Sequence, residues 1–379
     1  MLNDPLASPS GWLQEARAPG MRVGGARYIL KRKLGLGGCT EVWQARDVKW
    51  ERDVAMKFLP KTFLENRGLL DQLDTEVRRS AQLAHPAISR VFHFLFDGHD
   101  AAIVTEYVDG WTLAALKLDR PQNRFQRDDI NLWFHQLCAA LDYAHHHFRL
   151  VHQDLNPSNL LLNSRDYLKV TDFAIDRAIR TGAAQTMNLS YGTIAYLSPQ
   201  QLRGAEASVL DDIYALGATM YDLITGTPPF HKGELRSQIL EAPAPSMKER
   251  LLELEADEEV PIEWEDMIAA CLSKDPGKRP HSASDVLRGL HKTTPVGQIE
   301  SPARCRRSFL RRIFEPLCNS ARHWGLAARR RGGEFIRQVK PQADKMVDAF
   351  RRNPRLLLAA ILSVAAVNLG LALWFLFRR

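Results

Sequence analysis

The chain has 379 residues, 45% of them hydrophobic and 25% charged, a balance that supports a sizeable folded core and excludes a disordered or low-complexity protein. Its five cysteines form no CxxC pair and no His/Cys cluster, which argues against a disulfide framework or a zinc site and fits a reducing compartment. The formal charge of +7 is uneven: residues 303–355 hold 15 Lys and Arg against 4 Asp and Glu, so a mildly acidic folded part is followed by a basic arm.

Residues 1–27 lack the charged-then-apolar pattern of a secretory signal, so the N-terminus is expected to stay in the cytoplasm. Tyr28–Leu36 and Glu41–Ala45 read as two strands around a glycine turn, and Asp53–Leu59 as a third, bounded by Pro60. Leu69–Leu83 carries helical periodicity and stops before His85-Pro86. Two short strands follow near Arg90–Phe96 and Ala101–Tyr107. From Trp111 onward the pattern turns helical, over Asp128–His147, Val209–Thr225, Trp264–Cys271 and Ala283–His291. Leu150–Asp176 between them reads as loop and strand. The expected order is a β-rich lobe, a connector and an α-rich lobe, with no internal repeat, and Gly297–Pro302 reads as a linker.

Several motifs stand in that frame. Leu34-Gly-Leu-Gly-Gly-Cys-Thr-Glu-Val42 puts glycines between two strands, where backbone amides approach phosphate oxygens without a Cβ in the way. Val54-Ala-Met-Lys57 ends an apolar run on a lysine, and Glu76 lies in the following helix. Val151-His-Gln-Asp154-Leu-Asn-Pro-Ser-Asn159 and Val170-Thr-Asp172-Phe173-Ala174 place two aspartates and an asparagine at short offsets. In this order and spacing the series, over residues 28–291, resembles the bacterial eukaryotic-like (Hanks-type) serine/threonine protein kinases.

The resemblance implies an α+β, two-lobed protein kinase fold over residues 28–292, with ATP and Mg²⁺ as cofactors and proteins as substrates. By position it implies that Leu34, Gly35, Gly37, Gly38, Val42 and Ala55 line the nucleotide. Thr105, Glu106 and Val108 form the hinge beside adenine, and Leu161 the floor beneath it. Lys57 holds phosphate and pairs with Glu76. Asp154 receives or orients the substrate hydroxyl proton, while Asn159 and Asp172 hold the metal. Gly192-Thr193-Ile-Ala-Tyr196 resembles the substrate-facing segment of serine/threonine enzymes. Asp212 resembles the aspartate that braces the catalytic loop, and Arg279 the arginine that ends the lobe.

Five positions depart from the family pattern. Gln153 stands in place of an arginine that reads activation-loop phosphate, so ordering by that route is not expected. Asn156 replaces a lysine that touches the transferring phosphate, at a cost of roughly 10²–10³ in rate for one missing charge. Ala174 replaces a glycine, Gln200 a glutamate that would pair with Arg279, and Thr40 the third loop glycine. The alternative reading is therefore an ATP-binding pseudokinase that acts as a tethered scaffold or regulator. Asp172–Pro199 reads as a loop in which Thr181, Thr186, Ser190 and Tyr191 are candidate phosphate acceptors.

Beyond the domain, residues 293–355 are expected to form a linker and an Arg-rich juxtamembrane region. Residues 356–377 form 22 uncharged positions. At about 1.5 Å per residue they reach roughly 33 Å, enough for a single C-terminal transmembrane helix. Arg351, Arg352 and Arg355 abut this span and place the kinase-like domain on the cytoplasmic side of the cell membrane. The Arg-rich stretch also suits nucleic acid, but its place before the span favours anionic lipid head groups. Substrates and oligomeric state are not legible.

Overall fold

Alternating apolar and polar residues along positions 28–58 dictate strands with one buried face, and the glycine and charged turns between them dictate hairpins. The computed structural model describes residues 17–37, 40–183, 194–256 and 259–290. The upper lobe holds β1 (Arg22–Val23), β2 (Tyr28–Gly37), β3 (Thr40–Asp47), β4 (Arg52–Phe58), α1 (Lys61–Leu64), α2 (Arg67–Ser80), β5 (Val91–Phe96) and β6 (Ala101–Glu106). The lower lobe holds β7 (Gly110–Thr112), α3 (Leu113–Leu118), α4 (Arg127–Phe148), β8 (Leu160–Asn163), β9 (Leu168–Val170) and α5 (Ile175–Ala183). It continues with α6 (Pro199–Leu202), α7 (Val209–Thr225), α8 (Leu235–Glu241), α9 (Met247–Glu253), α10 (Ile262–Cys271) and α11 (Ala283–Leu290).

The upper sheet is antiparallel, in the order β1-β2-β3-β4-β6-β5. Tyr28, Leu30, Trp43, Val54 and Met56 fill one buried cluster. Another joins Val91, Ala101 and Ile103 to Leu70, Leu73 and Val77 of α2. Those α2 positions recur every three or four residues and form one apolar stripe; fully burying each such side chain is worth about 1.5–3 kcal/mol. Asn66 caps the helix by accepting from the Leu69 N–H at 3.2 Å.

The lower lobe is organised around α7, whose residues from Asp211 to Thr225 are all buried, as suits a helix enclosed on every side. The helix begins with the Ser208 N–H donating to Asp211 at 2.8 Å and ends on Gly226 at φ +83°. A side chain at Gly226 would also strike the Gln122 carbonyl, 2.4 Å from an added Cβ. A small sheet, β7-β8-β9, lies beneath the hinge. Gly110 is required there, since a Cβ would stand 1.8 Å from the Leu162 carbonyl oxygen.

Expected and observed elements agree to within a few residues for β2 to β6, α2, α4, α7, α10 and α11. One expectation is corrected. The loop read over Asp172–Pro199 contains the helix α5, whose Ile175 and Ile179 are buried with the α2 stripe. Among the described residues no helix is long and apolar enough to cross a membrane. The expected span at 356–377 and the basic arm lie outside the described residues, as do Gly38, Thr186, Ser190, Tyr191, Gly192 and Thr193.

Candidate active site

The sheet register assembles the upper half of the cleft. Gly35 pairs with Val42, Val42 with Lys57, and Ala55 with Thr105, so the glycine turn, the lysine and the hinge stand on neighbouring strands. Leu34 is partly exposed at the rim, and nothing lies within 4 Å of where a Cβ on Gly35 would sit. Glu106 ends β6, and its carboxylate accepts from Lys169 at 3.0 Å and from the Arg90 N–H at 3.1 Å, which ties the hinge to β9. Val108 follows directly, and Leu161 on β8 pairs with both Thr112 and Lys169.

The lower half hangs from Asp212, fully buried in the first turn of α7. One of its oxygens accepts from the His152 N–H and from Nε2 of His145, both at 2.7 Å; the other accepts from the Gln153 N–H at 2.9 Å. These bonds let Gln153 sit at φ +69°, a conformation that non-glycine residues rarely adopt. They aim Asp154 into the cleft. The Asp154 carbonyl accepts from the side-chain amides of Asn156 and Asn159, both at 2.9 Å. Asn159 also donates to the Asp154 carboxylate at 3.2 Å.

Asn156 is expected near the transferring phosphate, and the structure gives it a different task. Its amide donates to the Asp154 carbonyl, while its oxygen caps the following turn by accepting from the Ser158 N–H at 2.9 Å. Both ends of the side chain are spent on the loop itself.

Asp172 and Ala174 both lie at positive φ, +64° and +58°. The Ala174 N–H donates to the His152 carbonyl at 3.0 Å, and the Phe173 ring packs on His152 with centroids 4.6 Å apart. Ser80, the last residue of α2, donates its buried hydroxyl to the Phe173 carbonyl at 2.7 Å. The turn from Asp172 to Ala174 is thus held from below by His152 and from above by α2.

Lys57 and Glu76 are not brought together. Lys57 binds Asp172 at 2.9 Å and Asp176 at 2.6 Å, whereas Glu76 pairs with Arg79 of its own helix at 3.3 Å. The physical reason is α5, which packs on α2 through Ile175 and Ile179 and offers Lys57 a nearer carboxylate. From the same helix Arg180 donates to the Asp154 carboxylate at 2.8 Å. Sequence reasoning missed Asp176 and Arg180. Their signal was present, because apolar Ile175 and Ile179 and charged Asp176 and Arg180 each repeat at a spacing of four.

The electrostatics follow from burial and these pairs. Burial pushes Asp154 above the ordinary carboxylate range, with Arg180 opposing it. Asp172 is also raised, by burial and by the charge of Asp176, against the pull of Lys57. Burial acts upward on Asp176 too, but Lys57 and Arg180 outweigh it and hold that carboxyl low. Burial acts downward on Lys57, and the two aspartates overcome it to raise its pKa.

Below the loop, Arg279 is buried and donates to Gln200 at 2.6 Å, to the Leu210 and Ser273 carbonyls at 2.8 Å, and to the Lys274 carbonyl at 3.4 Å. Each of these acceptors is neutral.

Residues 28–289 match the family model for the protein kinase domain. A probable serine/threonine-protein kinase of Clostridium acetobutylicum is 31% identical over 268 residues, covering 70% of this chain and 39% of that protein. The serine/threonine-protein kinase PrkC of Bacillus subtilis is 32% identical over 272 residues, covering 70% of this chain and 40% of that protein. The chain therefore spans about two fifths of the length of these relatives. The crystal structure of the Mycobacterium tuberculosis PknI kinase domain superposes with a TM-score of 0.58 at 25% identity, covering 73% of this chain and 99% of that one. With a family match over most of its length and a two-lobed cleft built on Lys57, Asp154, Asn159 and Asp172, the chain belongs to the protein kinase family, in its bacterial Hanks-type serine/threonine branch.

Proposed function

We propose that this chain is a serine/threonine protein kinase that transfers the γ-phosphoryl group of ATP to hydroxyls of cytoplasmic proteins, held at the cell membrane by its C-terminal segment. The observation that carries the reading is the convergence of Lys57, Asp172, Asn159 and Asp154 on one cleft through strand register and short hydrogen bonds. The open space at Gly35 suits a backbone that approaches phosphate. Asp172 and Asn159 offer oxygen donors, which suits a hard divalent cation such as Mg²⁺. Asp172 and Asn159 would hold the cation, which would supply charge neutralisation at the phosphate.

Bound Mg·ATP supplies the phosphoryl group and neutralises the charge that develops on it. The protein supplies the positioning. Lys57 binds phosphate oxygens, and the hinge from Thr105 to Val108 fixes the base. Asp154, held by its carbonyl bonds to Asn156 and Asn159, orients the acceptor hydroxyl and takes up its proton. Asn156 places no charge at the phosphate, which supports slow turnover rather than inactivity.

In the purified full-length chain with labelled Mg·ATP and a protein substrate, Asp154→Asn is expected to lower phosphate transfer by about 10²–10⁴-fold. Equal transfer by the variant, or none by the parent, overturns the reading. The anchor rests on the apolar run at 356–377 and the basic residues before it, with anionic lipid as the partner of 303–355. Deleting residues 356–379 should move the chain from the membrane to the soluble fraction on centrifugation. Retention there would refute the anchor.

A further inference from the structure

Arg17 stands before β1 and outside residues 28–289, which match the family model, yet only 4% of its side chain is exposed. A guanidinium leaves water only where its donors and its flat face find partners. The face stacks on the Phe58 ring, with Cζ 3.9 Å from the ring centroid. One amino group donates to the Glu41 carboxylate at 3.1 Å, and the other donates to Asp100 in the turn between β5 and β6.

These partners belong to the upper half of the cleft. Glu41 pairs with Leu36 on β2 and with Phe58 on β4, while its neighbour Val42 pairs with Gly35 and Lys57. Successive side chains on a strand point to opposite faces, so Glu41 and Phe58 lie on the face away from Val42 and Lys57. Arg17 thus grips, from behind, the strand ends whose other face the kinase reading assigns to nucleotide. Lys33 also donates to Glu41, at 2.5 Å, and is 41% exposed. That hydrogen bond lowers the Glu41 pKa, burial opposes it, and the bond from Arg17 lowers it further. An exposed lysine pair restrains little, whereas the buried guanidinium is fixed by three partners at once.

Glycine gives this end of the hairpin little conformational preference of its own, and nothing lies within 4 Å of where a Cβ on Gly35 would sit. Its placement is therefore set through the paired strand, and Glu41 is where the N-terminal segment holds that strand. We propose that Arg17 is a positioning residue for nucleotide: by bridging Glu41 and Asp100 over Phe58, it fixes the end of the β2–β3 hairpin so that the backbone from Gly35 to Gly37 is set for the triphosphate. The role deepens the kinase reading above and rests on it. The base is assigned to the hinge, which begins at Thr105, roughly 17 Å along β6 from Asp100. Loss of Arg17 should therefore weaken a triphosphate and leave adenosine alone.

The test measures binding of two probes to the purified full-length chain in detergent: adenosine, and Mg²⁺ with a non-hydrolysable ATP analogue. Arg17→Met, which keeps an apolar stem over Phe58, is expected to weaken the analogue about tenfold and to change adenosine by less than about twofold. Glu41→Gln should act in the same way from the other side of the bond. The double variant should bind the analogue no more weakly than Glu41→Gln alone, because both changes remove one link. Unchanged analogue affinity in Arg17→Met, or an equal loss for both probes, overturns the positioning role. Additive losses in the double variant overturn it as well, since Arg17 would then not act through Glu41. A parent that binds neither probe overturns the kinase reading itself; a parent that binds both and is matched by Arg17→Met overturns only the role of Arg17.

Discussion

The floor of the cleft and its upper wall are held by different kinds of bond. On the floor, Asp212 is fixed by two backbone N–H groups and a buried histidine, and Asn156 and Asn159 bind backbone carbonyl within the loop. Beneath it, Arg279 donates to a glutamine side chain and to backbone carbonyls. In the wall, side chain meets side chain: Lys57 with Asp172 and Asp176, Arg180 with Asp154, Glu76 with Arg79. Bonds to backbone persist as long as the fold does. Ion pairs between side chains can be exchanged, because a lysine accepts any nearby carboxylate at similar cost. The bonds that shape the loop around Asp154 thus run to backbone, and those that set the partners of Lys57 and of the Asp154 carboxylate run between side chains.

The largest expected effect tests the floor. Asp212→Ala removes the acceptor for three donors, two of them in fully buried bonds. The loss should be about 3–5 kcal/mol, within the range for breaking a buried, hydrogen-bonded charge. Urea unfolding should show a lower midpoint and lost phosphate transfer together. A variant of near-parent stability would show that the floor is held by packing and not by this carboxylate.

A smaller effect tests the neutral bonding under the floor. Lys274 donates to the Ile239 carbonyl at 2.7 Å and to the Gln238 carbonyl at 3.3 Å. Burial, then the charge of Arg279, lower its pKa to about 8. In the unfolded chain the same group titrates near 10.5. Between these values the unfolded state binds more protons than the folded state, so stability contributed at this site rises with pH. Below about pH 8 the unfavourable contribution is complete. The stability of the parent relative to Lys274→Met should therefore improve from pH 8 to 9.5 in paired urea titrations. A difference that is flat or falls would mean that the carbonyls stabilise the ammonium fully.

The elements and the order of the motifs were legible because they depend on short-range patterns. Alternation gave β2 to β4, and the i, i+3, i+4 stripe gave α2. Lys57, Asp154, Asn159 and Asp172 could be named from spacing, since their roles are set by neighbours within a few residues. Glu76 could be named but not placed. Its partner depends on where α2 stops moving, which is decided by the packing of Ile175 and Ile179, about a hundred residues away along the chain. Asn156 was read by what it lacks, a charge. Its capping of the Ser158 N–H could be seen only once the loop was folded. What escaped the sequence is the competition between alternative partners, a property of tertiary geometry.

The smallest expected effect falls where floor and wall meet. Ala174 sits at φ +58°, where a Cβ crowds its own backbone at a cost of about 1–2 kcal/mol that a glycine does not incur. The His152 carbonyl, which accepts from the Ala174 N–H, holds it there. Ala174→Gly should therefore stabilise the folded chain by about 1 kcal/mol, partly offset by the greater freedom of glycine in the unfolded chain. For a domain of this size that is a rise in Tm of roughly 2–4 °C. The rise should appear in thermal melts of the purified chain followed by circular dichroism. No rise, or a fall, would mean that the freedom of glycine in the unfolded chain outweighs the relief of the crowded Cβ.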